Sequence, residues 1–426
     1  MKKLKIAVIG AGSTYSPELI DGFLRRADSL HVESIYMMDI DERKNTIVSG
    51  LAQRMIKARG LDAKLVVTSN LEEAITGADY VMAQIRVGKL PARILDEKIP
   101  LKYDLLGQET TGTGGFFKAL RTIPVMLNIA RIMERVAPNA WLINFSNPSG
   151  IIAQMLSQET KISFAGLCNG PIVTLKHLKE ATKATNFDFD FVGLNHFNWI
   201  TKMQADGKDI FPCPQDKDSL KAYGINDSEW LHTIGGVTSG YLNYYYNRDS
   251  TVAYCKAQKQ SRGEECMEIE EKLLELYQDE NIKEKPALLD KRGGALYSEA
   301  AVSLVDAIEN DLNTIHVVNV NHRGTIPFLD SDDIAEVKCR VGKDGPVPLP
   351  LLDSNINNHI VGMVRAVKAY EKLTVKAGLT GDYNTGLTAL LTHPLVGDHA
   401  RAKGVYDEML EAHKEFLPQF AKGGCQ

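Results

Sequence analysis

Cys168 and His196, in the middle of the chain, have the side-chain types that bind divalent metals. Cys168 lies in the segment G-L-C-N-G-P at 166–171, and His196 lies in G-L-N-H-F-N-W at 193–199. The glycine turn G-A-G-S at 10–13 has the residues of a dinucleotide-binding turn. A metal beside a nicotinamide cofactor indicates hydride-transfer chemistry. The alternative interpretation is a small core cysteine and a hydrogen-bonded structural histidine.

The residues around the glycine turn favour a dinucleotide site. An apolar strand over 5–9 precedes the turn, a helix follows it, and a second strand over 34–38 ends in Asp39. In a doubly wound sheet, Gly10 makes the tight turn and Gly12 lets the backbone approach the phosphates, which lie at the helix N-terminus. A carboxylate at Asp39 binds the ribose hydroxyls and repels a 2′-phosphate, which favours NAD over NADP.

The glycine fingerprint is incomplete, because its third glycine is replaced by the stretch Ser13-Thr14-Tyr15. A glycine turn after a strand is often only a turn. The prediction therefore depends on strand, turn, helix, second strand and terminal acid occurring together, and it includes Ser13 among the cofactor-binding residues.

Polar residues follow two further predicted strands of the same sheet. Arg86 comes directly after an apolar strand over 80–85, and Asn147 follows a strand over 141–145. Ligands of open parallel sheets bind outside the carboxyl ends of the strands, so both side chains are candidate ligand contacts. Asn147 precedes Pro148, and the alternative interpretation of such an asparagine is a turn residue.

Length and composition predict a globular α/β protein with two domains. The chain has 426 residues, of which 44% are apolar and 24% are charged. We predict a Rossmann-type doubly wound parallel sheet over residues 1–167. Residues 168–426 are predicted to form a second domain of mixed strands and helices, with strands over 189–194 and 314–320 and a helix over 267–278.

Several classes of partner are disfavoured by the same numbers. A net charge of −5 without a basic block disfavours nucleic acid, and the sequence has no apolar stretch of membrane-spanning length. The six cysteines, at 168, 213, 255, 266, 339 and 425, have no framework spacing. Reduced thiols in a cytoplasmic protein are therefore predicted.

Longer phrases identify a family. They are, in chain order, GAGSTYSPEL at 10–19, ARILDEKIP at 92–100, GQETTGTGG at 107–115, NFSNPSG at 144–150, the Cys168 and His196 segments, GYLNYYY at 240–246 and RGEECMEIE at 262–270. Together they resemble glycoside hydrolase family 4, the NAD- and manganese-dependent glycosidases, which depart from the usual two-carboxylate scheme. The resemblance implies a second domain like the α+β half of lactate and malate dehydrogenases.

The resemblance also implies a substrate class. In this family the residue after the metal cysteine follows the substrate, and the asparagine at 169 goes with 6-phospho-β-glucosidases. The expected substrates are cellobiose 6-phosphate or aryl β-glucoside 6-phosphates, cleaved to glucose 6-phosphate and the aglycone. The alternatives are a 6-phospho-α-glucosidase or α-galactosidase of the same family. A malate- or lactate-type dehydrogenase is a further alternative, but its histidine, aspartate and arginine set cannot be placed in the sequence.

The mechanism that the resemblance implies includes a reversible oxidation of the sugar. NAD oxidises the sugar at C3, a base removes the C2 proton, the aglycone leaves from C1, water adds, and the ketone is reduced again. The implied base is Tyr241, with Glu109 raising its basicity. The remaining implied roles are substrate binding by Arg93, Asn147, Asn169 and Arg262, cofactor binding by Gly10, Gly12, Ser13, Asp39 and Arg86, and metal binding by Cys168 and His196.

Two positions depart from the family pattern. Thr113 stands where a proline is expected, and Lys89 stands where a second glycine is common after Gly88. Both lie in predicted loops near the cofactor. From the family we also expect a homodimer or homotetramer.

Overall fold

The structure, a computed structural model, describes residues 2–210, 233–292 and 296–421. The strands up to residue 166 are β1 Lys3–Ile9, β2 His31–Met38, β3 Lys64–Thr68, β4 Tyr80–Ala83, β5 Trp141–Asn144 and β6 Ser163–Gly166. The helices that alternate with them are α1 Ser16–Arg25, α2 Glu42–Ala58, α3 Leu71–Ile75, α4 Lys89–Lys98, α5 Gly112–Val136 and α6 Ser149–Glu159.

These strands form one parallel sheet in the order β3-β2-β1-β4-β5-β6. This is the strand order of a doubly wound dinucleotide-binding fold, so the predicted fold class is confirmed. All four residues of β4 are buried, because helices cover both faces of a parallel sheet and leave no side for polar residues.

The sheet continues beyond β6 with strands from the C-terminal part of the chain. These are β11 Thr314–Asn321, β12 Ile334–Gly342 and β13 Gly345–Pro348, each antiparallel to its neighbour, with β11 adjacent to β6. One sheet of nine strands therefore contains segments from both predicted domains. The domain boundary at 167/168 stays a prediction.

A second, smaller sheet contains the predicted metal histidine. It consists of β7 Phe187–Leu194, β8 Phe197–Ala205, the short β9 Lys208–Asp209 and β10 Val237–Thr238, all paired antiparallel. β7 and β8 form a hairpin whose connection is Asn195-His196. The apolar core of this sheet is formed by Phe189, Phe191, Ile200, Met203 and Val237, together with Leu178 and Val317.

The later helices complete the fold. They are α7 Asn169–Thr182, α8 Asn243–Tyr246, α9 Arg248–Ala257, α10 Arg262–Gln278, α11 Leu288–Lys291, α12 Tyr297–Glu309, α13 Asn358–Thr380, α14 Tyr383–Thr392, α15 His399–Ala412 and α16 Pro418–Ala421. The long helix α13 packs on α5, α6 and α14. None of the helices in the described part of the chain is both long and apolar enough to cross a membrane.

Thr113, which the sequence predicts in a loop, lies in the first turn of α5, and this turn also contains Gly112, Gly114 and Gly115. A Cβ at Gly114 would lie 2.2 Å from the carbonyl oxygen of Gln108, and a Cβ at Gly115 would lie 2.4 Å from the carbonyl carbon of Thr110. The segment before the helix folds back against its first turn, and only glycine allows this approach. Glu109 is thereby held against α5.

Of the six cysteines, Cys213 and Cys425 lie outside the described residues. The four that the structure describes, at 168, 255, 266 and 339, are free thiols.

We predict that Gly345→Ala weakens the attachment of β13 to the parallel strands. Gly345 has φ +84°, and a Cβ there would lie 2.0 Å from the Trp141 ring on β5. The backbone strain and the overpacking together should lower the free energy of unfolding by about 3 kcal/mol in urea titrations. The matched control is Gly60→Ala, with φ +68° and open space around the Cβ, which should cost only about 1 kcal/mol. Equal losses in the two variants would contradict the packing argument.

Candidate active site

The predicted site residues converge at the carboxyl edge of the parallel sheet. Gly10 follows β1, Asp39 follows β2, Arg86 follows β4, Asn147 follows β5 and Cys168 follows β6. Because these strands are parallel neighbours, their ends meet at one edge, which is where ligands of open α/β sheets bind.

The two glycines of the N-terminal turn are each required by a close contact. Gly10 has φ +88°, and a Cβ there would lie 2.9 Å from the carbonyl oxygen of Gln84. The N–H of Gly12 donates to Oδ2 of Asp39 at 2.8 Å. A Cβ at Gly12 would lie 2.9 Å from that same oxygen. The glycine turn and the Asp39 carboxylate are thus in direct contact, and a side chain at position 12 would prevent this contact.

The missing third glycine is explained by a longer turn, because α1 begins only at Ser16. The Ser16 hydroxyl donates to the carbonyl of Ala11 at 2.7 Å and accepts from Nε2 of Gln84 at 2.6 Å. The Tyr277 hydroxyl donates to the carbonyl of Thr14 at 2.7 Å. Ser16, Gln84 and Tyr277 are thus supports that sequence reasoning missed. The predicted Ser13 lies within the turn and accepts the N–H of Tyr15 at 3.3 Å.

Lys89, which departs from the family pattern, adopts the left-handed backbone conformation with φ +54°. Glycine reaches this conformation without strain, which is a physical reason for a glycine there in relatives. The Lys89 ammonium lies 2.7 Å from a carboxylate oxygen of Asp41. Asp41 in turn donates its N–H to Asp39 at 2.9 Å. Beside the Asp39 carboxylate, Ile40 is 82% exposed, an apolar surface that the adenine end of a dinucleotide can cover.

Glu109 is the centre of a buried ionic network. Its carboxylate accepts hydrogen bonds from Arg86 and from Lys118, the latter at 2.7 Å. Its other oxygen lies 2.9 Å from a guanidinium nitrogen of Arg93. Burial by itself would raise the pKa of Glu109, but the charges of Arg86, Lys118 and Arg93 hold this pKa well below its usual value. Glu109 is therefore ionised.

Lys118, which sequence reasoning missed, lies inside α5 and looks like an ordinary helix residue. Its pKa is lowered to about 7 by burial and by the charge of Arg86, while Glu109 opposes the shift. The ammonium of Lys118 is therefore easily deprotonated near neutral pH. The charge of Lys118 also acts on His196, so the ionic network affects the charge state of the predicted metal ligand.

Arg93 is fixed from several sides and connects α4 to α10. Its Nε donates to Glu97 at 2.7 Å, and its Nη1 lies 3.7 Å from the sulfur of Cys266. Glu97 also accepts the N–H of Gly263 at 2.6 Å. Arg262, one residue earlier, is instead half-exposed and bonded to the Glu265 carboxylate and the Lys291 carbonyl. The structure brings the predicted Arg93 to Glu109 but leaves the Arg262 guanidinium outside this network.

The two predicted metal ligands are buried and have the chemistry that a metal site needs. Cys168 caps the N-terminus of α7, where its sulfur accepts the N–H of Gly170 at 3.4 Å. Burial, and then the charge of Glu336, raises the pKa of the Cys168 thiol. His196 has φ +62°, an uncommon conformation for histidine. Its Nδ1 is buried without a hydrogen-bond partner.

The charge state of His196 suits ligation. Burial and the positive charge of Lys118 lower the pKa of His196 to about 3. The imidazole is therefore neutral and offers a lone pair, which metal ligation requires. The Cys168 thiol, by contrast, must lose its proton to bind, and a metal cation supplies the charge that makes this possible. The pair fits a divalent metal.

Tyr241, the predicted base, stacks on His196, the predicted metal ligand. The ring centroids of Tyr241 and His196 are 4.1 Å apart, with the planes inclined by 19°. Burial, then the charge of Cys168, raises the pKa of the Tyr241 hydroxyl, and a hydrogen bond from Thr110 opposes the shift. Glu109 acts on Tyr241 through its charge, which also raises this pKa.

The two predicted asparagines lie at the starts of helices near Cys168. Asn147 precedes α6, and its Oδ1 is buried without a hydrogen-bond partner. Its Nδ2 donates to the carbonyl of Phe145 at 3.5 Å. Asn169 is the first residue of α7, directly after Cys168. An unpaired buried amide oxygen favours the ligand interpretation of Asn147 over the turn interpretation.

A second buried carboxylate, Glu336 on β12, supports the histidine hairpin. It accepts amide N–H groups from Asn195 at 3.2 Å, Asn198 at 2.8 Å and Asn319 at 3.0 Å. Asn195 and Asn198 flank His196. Among the described residues no cation forms an ion pair with Glu336, and burial raises its pKa to about 7. The side chain of Asn195 also accepts the N–H of Ser149 at 3.1 Å.

Taken together, a doubly wound sheet with a dinucleotide turn, a buried thiol and imidazole, and a tyrosine beside them defines a class of protein: a dinucleotide-binding metalloenzyme. Comparison with known proteins gives the family. Residues 5–184 match the model of the family 4 glycosyl hydrolases, and residues 191–396 match the model of the C-terminal domain of the same family. The chain belongs to family 4 of the glycosyl hydrolases.

Relatives agree over nearly the full length. A 6-phospho-β-glucosidase of Escherichia coli (strain K12) is 37% identical, covering 99% of this chain and 97% of that protein. The solved structure of a 6-phospho-β-glucosidase from Thermotoga maritima, with manganese, NAD+ and glucose 6-phosphate, has a TM-score of 0.87 and 33% identity, covering 97% of this chain and 99% of that chain. A lactate dehydrogenase from a deep-sea metagenome library, with a TM-score of 0.56, 14% identity and coverage of 89% of this chain and 100% of that chain, shares the fold alone.

We predict that Glu336→Gln weakens manganese binding by about 10- to 100-fold, because a side-chain amide cannot accept from all three asparagines and the His196 turn loses its support. The measurement is the Kd of Mn2+ by electron paramagnetic resonance. The matched control is Asp190→Asn, at a buried acid on the same hairpin that accepts the N–H groups of Leu352 and Asp353 at 2.7 and 2.8 Å. An equal loss of affinity in both variants would mean that general destabilisation is responsible.

Proposed function

We propose that this protein hydrolyses 6-phospho-β-glucosides, such as cellobiose 6-phosphate or aryl β-glucoside 6-phosphates, to glucose 6-phosphate and the aglycone. The observation that carries the proposal is the stacking of Tyr241 on His196, 4.1 Å between ring centroids, because it puts a base next to a metal ligand. The named relatives support the substrate class, and the asparagine at 169 supports the β linkage.

NAD+ and a divalent metal, which we propose is Mn2+, supply hydride transfer at C3 and Lewis-acid polarisation of the C2 and C3 oxygens when they are bound. Cys168 and His196 would hold the metal. The dinucleotide would be held by the glycine turn, Asp39 and Arg86, with the residues of the turn being Gly10, Gly12 and Ser13.

Tyr241 accepts the C2 proton. Its pKa is raised by burial in the protein alone, so the phenol is neutral until a cation binds beside it. Glu109 supports the base through its negative charge, and its two carboxylate oxygens hold Arg86 and Arg93 in place.

The substrate is held by side chains that donate hydrogen bonds. The Arg93 guanidinium, fixed by Glu97 and Glu109, is suited to a phosphate oxygen. Asn147 and Asn169 are proposed to bind sugar hydroxyls, and Arg262 is proposed to approach the phosphate from the half-exposed side.

Cys168 must stay reduced to bind a metal, and the cytoplasm keeps thiols reduced, so we also propose a cytoplasmic location. A homodimer or homotetramer stays a prediction.

The test of function is nitrophenol release from 4-nitrophenyl β-glucoside 6-phosphate, with NAD+, Mn2+ and reductant omitted one at a time. We expect turnover that stops without NAD+ or without Mn2+ and produces no net NADH. Activity confined to the α-linked phosphoglucoside would favour the 6-phospho-α-glucosidase alternative. Inertness toward both anomers, phosphorylated or not, together with NADH formation from a 2-hydroxy acid, would favour the dehydrogenase.

We predict that Tyr241→Phe lowers kcat by about 100- to 10,000-fold, the usual contribution of a general base. In D2O the wild-type enzyme should release glucose 6-phosphate with deuterium at C2, because the abstracted proton exchanges before water adds. The variant should lose this exchange together with turnover, as measured by proton NMR. Matched NAD+ and Mn2+ affinities in the two proteins are the control. Product formed without deuterium at C2 would exclude the elimination mechanism.

A further inference from the structure

Arg292, directly after α11, is a buried guanidinium with few partners. Only 10% of its side chain is exposed, and its Nε is buried without a hydrogen-bond partner among the residues that the structure describes. The carboxylate of Glu270 lies 3.8 Å from Nη2, beyond hydrogen-bond distance, and Glu270 already accepts from Lys44. A guanidinium carries five N–H donors, and burying its charge with so few acceptors is unfavourable. Such a group is suited to an anionic ligand.

The surroundings of Arg292 are themselves positive. Arg86 and Arg93 contact the two oxygens of the Glu109 carboxylate. Arg93 also lies 3.7 Å from the sulfur of Cys266, which is one turn of α10 before the Glu270 carboxylate that Arg292 approaches. Burial, and then the positive charges of Arg86 and Arg93, lower the pKa of Arg292. The same helix reaches the dinucleotide turn, because the hydroxyl of Tyr277, two turns after Glu270, donates to the carbonyl of Thr14 at 2.7 Å. Arg292 therefore lies between the glycine turn and the network around Glu109.

The balance of charge in this region indicates the class of anion. Two groups of ion pairs among the described residues contribute to this region. One group consists of the cations Arg86, Arg93 and Lys118 with the carboxylates Glu97 and Glu109. The other consists of Lys44 and Arg292 with the carboxylate Glu270. About two positive charges are left uncompensated, and fewer when Lys118 is neutral. A phosphate monoester carries about −1.5 to −2 charges at pH 7, and its oxygens match the donor geometry of guanidinium groups.

We propose that Arg292 binds a phosphate group, together with Arg86 and Arg93. The role deepens the proposed function and depends on it for the identity of the ligand, which is either the 6-phosphate of the sugar or the pyrophosphate of the dinucleotide. Both ligands present phosphate oxygens, so the chemistry of recognition is the same, and the two sources are separated by experiment.

The experiment compares Arg292→Met, Arg292→Lys and wild type by calorimetric titration with NAD+, with glucose 6-phosphate and with glucose. For a sugar-phosphate contact, Arg292→Met should weaken glucose 6-phosphate binding about 10- to 100-fold and leave NAD+ and glucose unchanged. For a pyrophosphate contact, the loss should fall on NAD+. Arg292→Lys, which keeps the charge without the planar fork, should recover part of the affinity.

The matched control is Arg54→Met, because Arg54 is a structural arginine whose guanidinium donates to the carbonyls of Ile282 and Tyr277 at 2.8 and 2.7 Å. It should leave both affinities unchanged. Affinities for NAD+ and glucose 6-phosphate that stay within twofold of wild type in Arg292→Met would overturn the proposal. Because binding is measured without turnover, a protein that binds phosphate through Arg292 but does not cleave phosphoglucosides would overturn only the proposed function.

Discussion

The ion pairs that the Glu109 carboxylate forms with three cations are the interaction on which the rest of the site depends. Arg86 follows β4, Arg93 belongs to α4 and Lys118 belongs to α5, and all three point at this one side chain. Without the negative charge, three cations would face each other in a region with little water, where their repulsion is strong. The position of the loop before α5, and with it Thr110 beside Tyr241, follows from satisfying these cations.

The two buried carboxylates of the site are held in opposite states by their partners. Glu109 is surrounded by cations, so its pKa is low and it supplies a fixed charge. Glu336 is surrounded by amides of asparagine, so burial raises its pKa to about 7 and it works mainly as an acceptor for hydrogen bonds. One acid therefore sets the electrostatics of the cleft, and the other sets the shape of the turn that carries His196.

Much of the fold could be predicted because parallel strands that are buried on both faces appear in the sequence as apolar runs. The glycine turn and Asp39 identify the first two of these strands. The candidate residues Cys168, His196 and Tyr241 were found through family phrases, and the structure brings them together. Lys118 and Glu336 could not be found in this way, because each looks like an ordinary helix or strand residue. Their partners lie in distant parts of the chain, and burial, which changes their pKa values, is invisible in sequence.

The start of α5 could not be predicted from the sequence for a different reason. Glycines normally indicate a loop, yet Gly114 and Gly115 lie inside a helix because another segment of backbone passes within contact distance. Such a requirement is set by the path of the segment at 107–111 and not by local propensity. The exposed position of the Arg262 guanidinium has a similar origin, since its neighbours Glu265 and Lys291 lie close enough to bind it.

The continuity of the large sheet has a consequence for motion. The dinucleotide turn follows β1, Cys168 follows β6, and the hairpin of His196 is hydrogen-bonded to Glu336 on β12, so these three parts of the site are attached to the same nine-stranded sheet. Hinge bending between two lobes would have to separate β11 from β6, which pair at Asn319 and Gly166, and a packed sheet resists this separation. Entry of substrate and departure of product must then depend on displacements of loops and short helices at the edge, while the distance between the hydride site and the metal stays constant through the cycle.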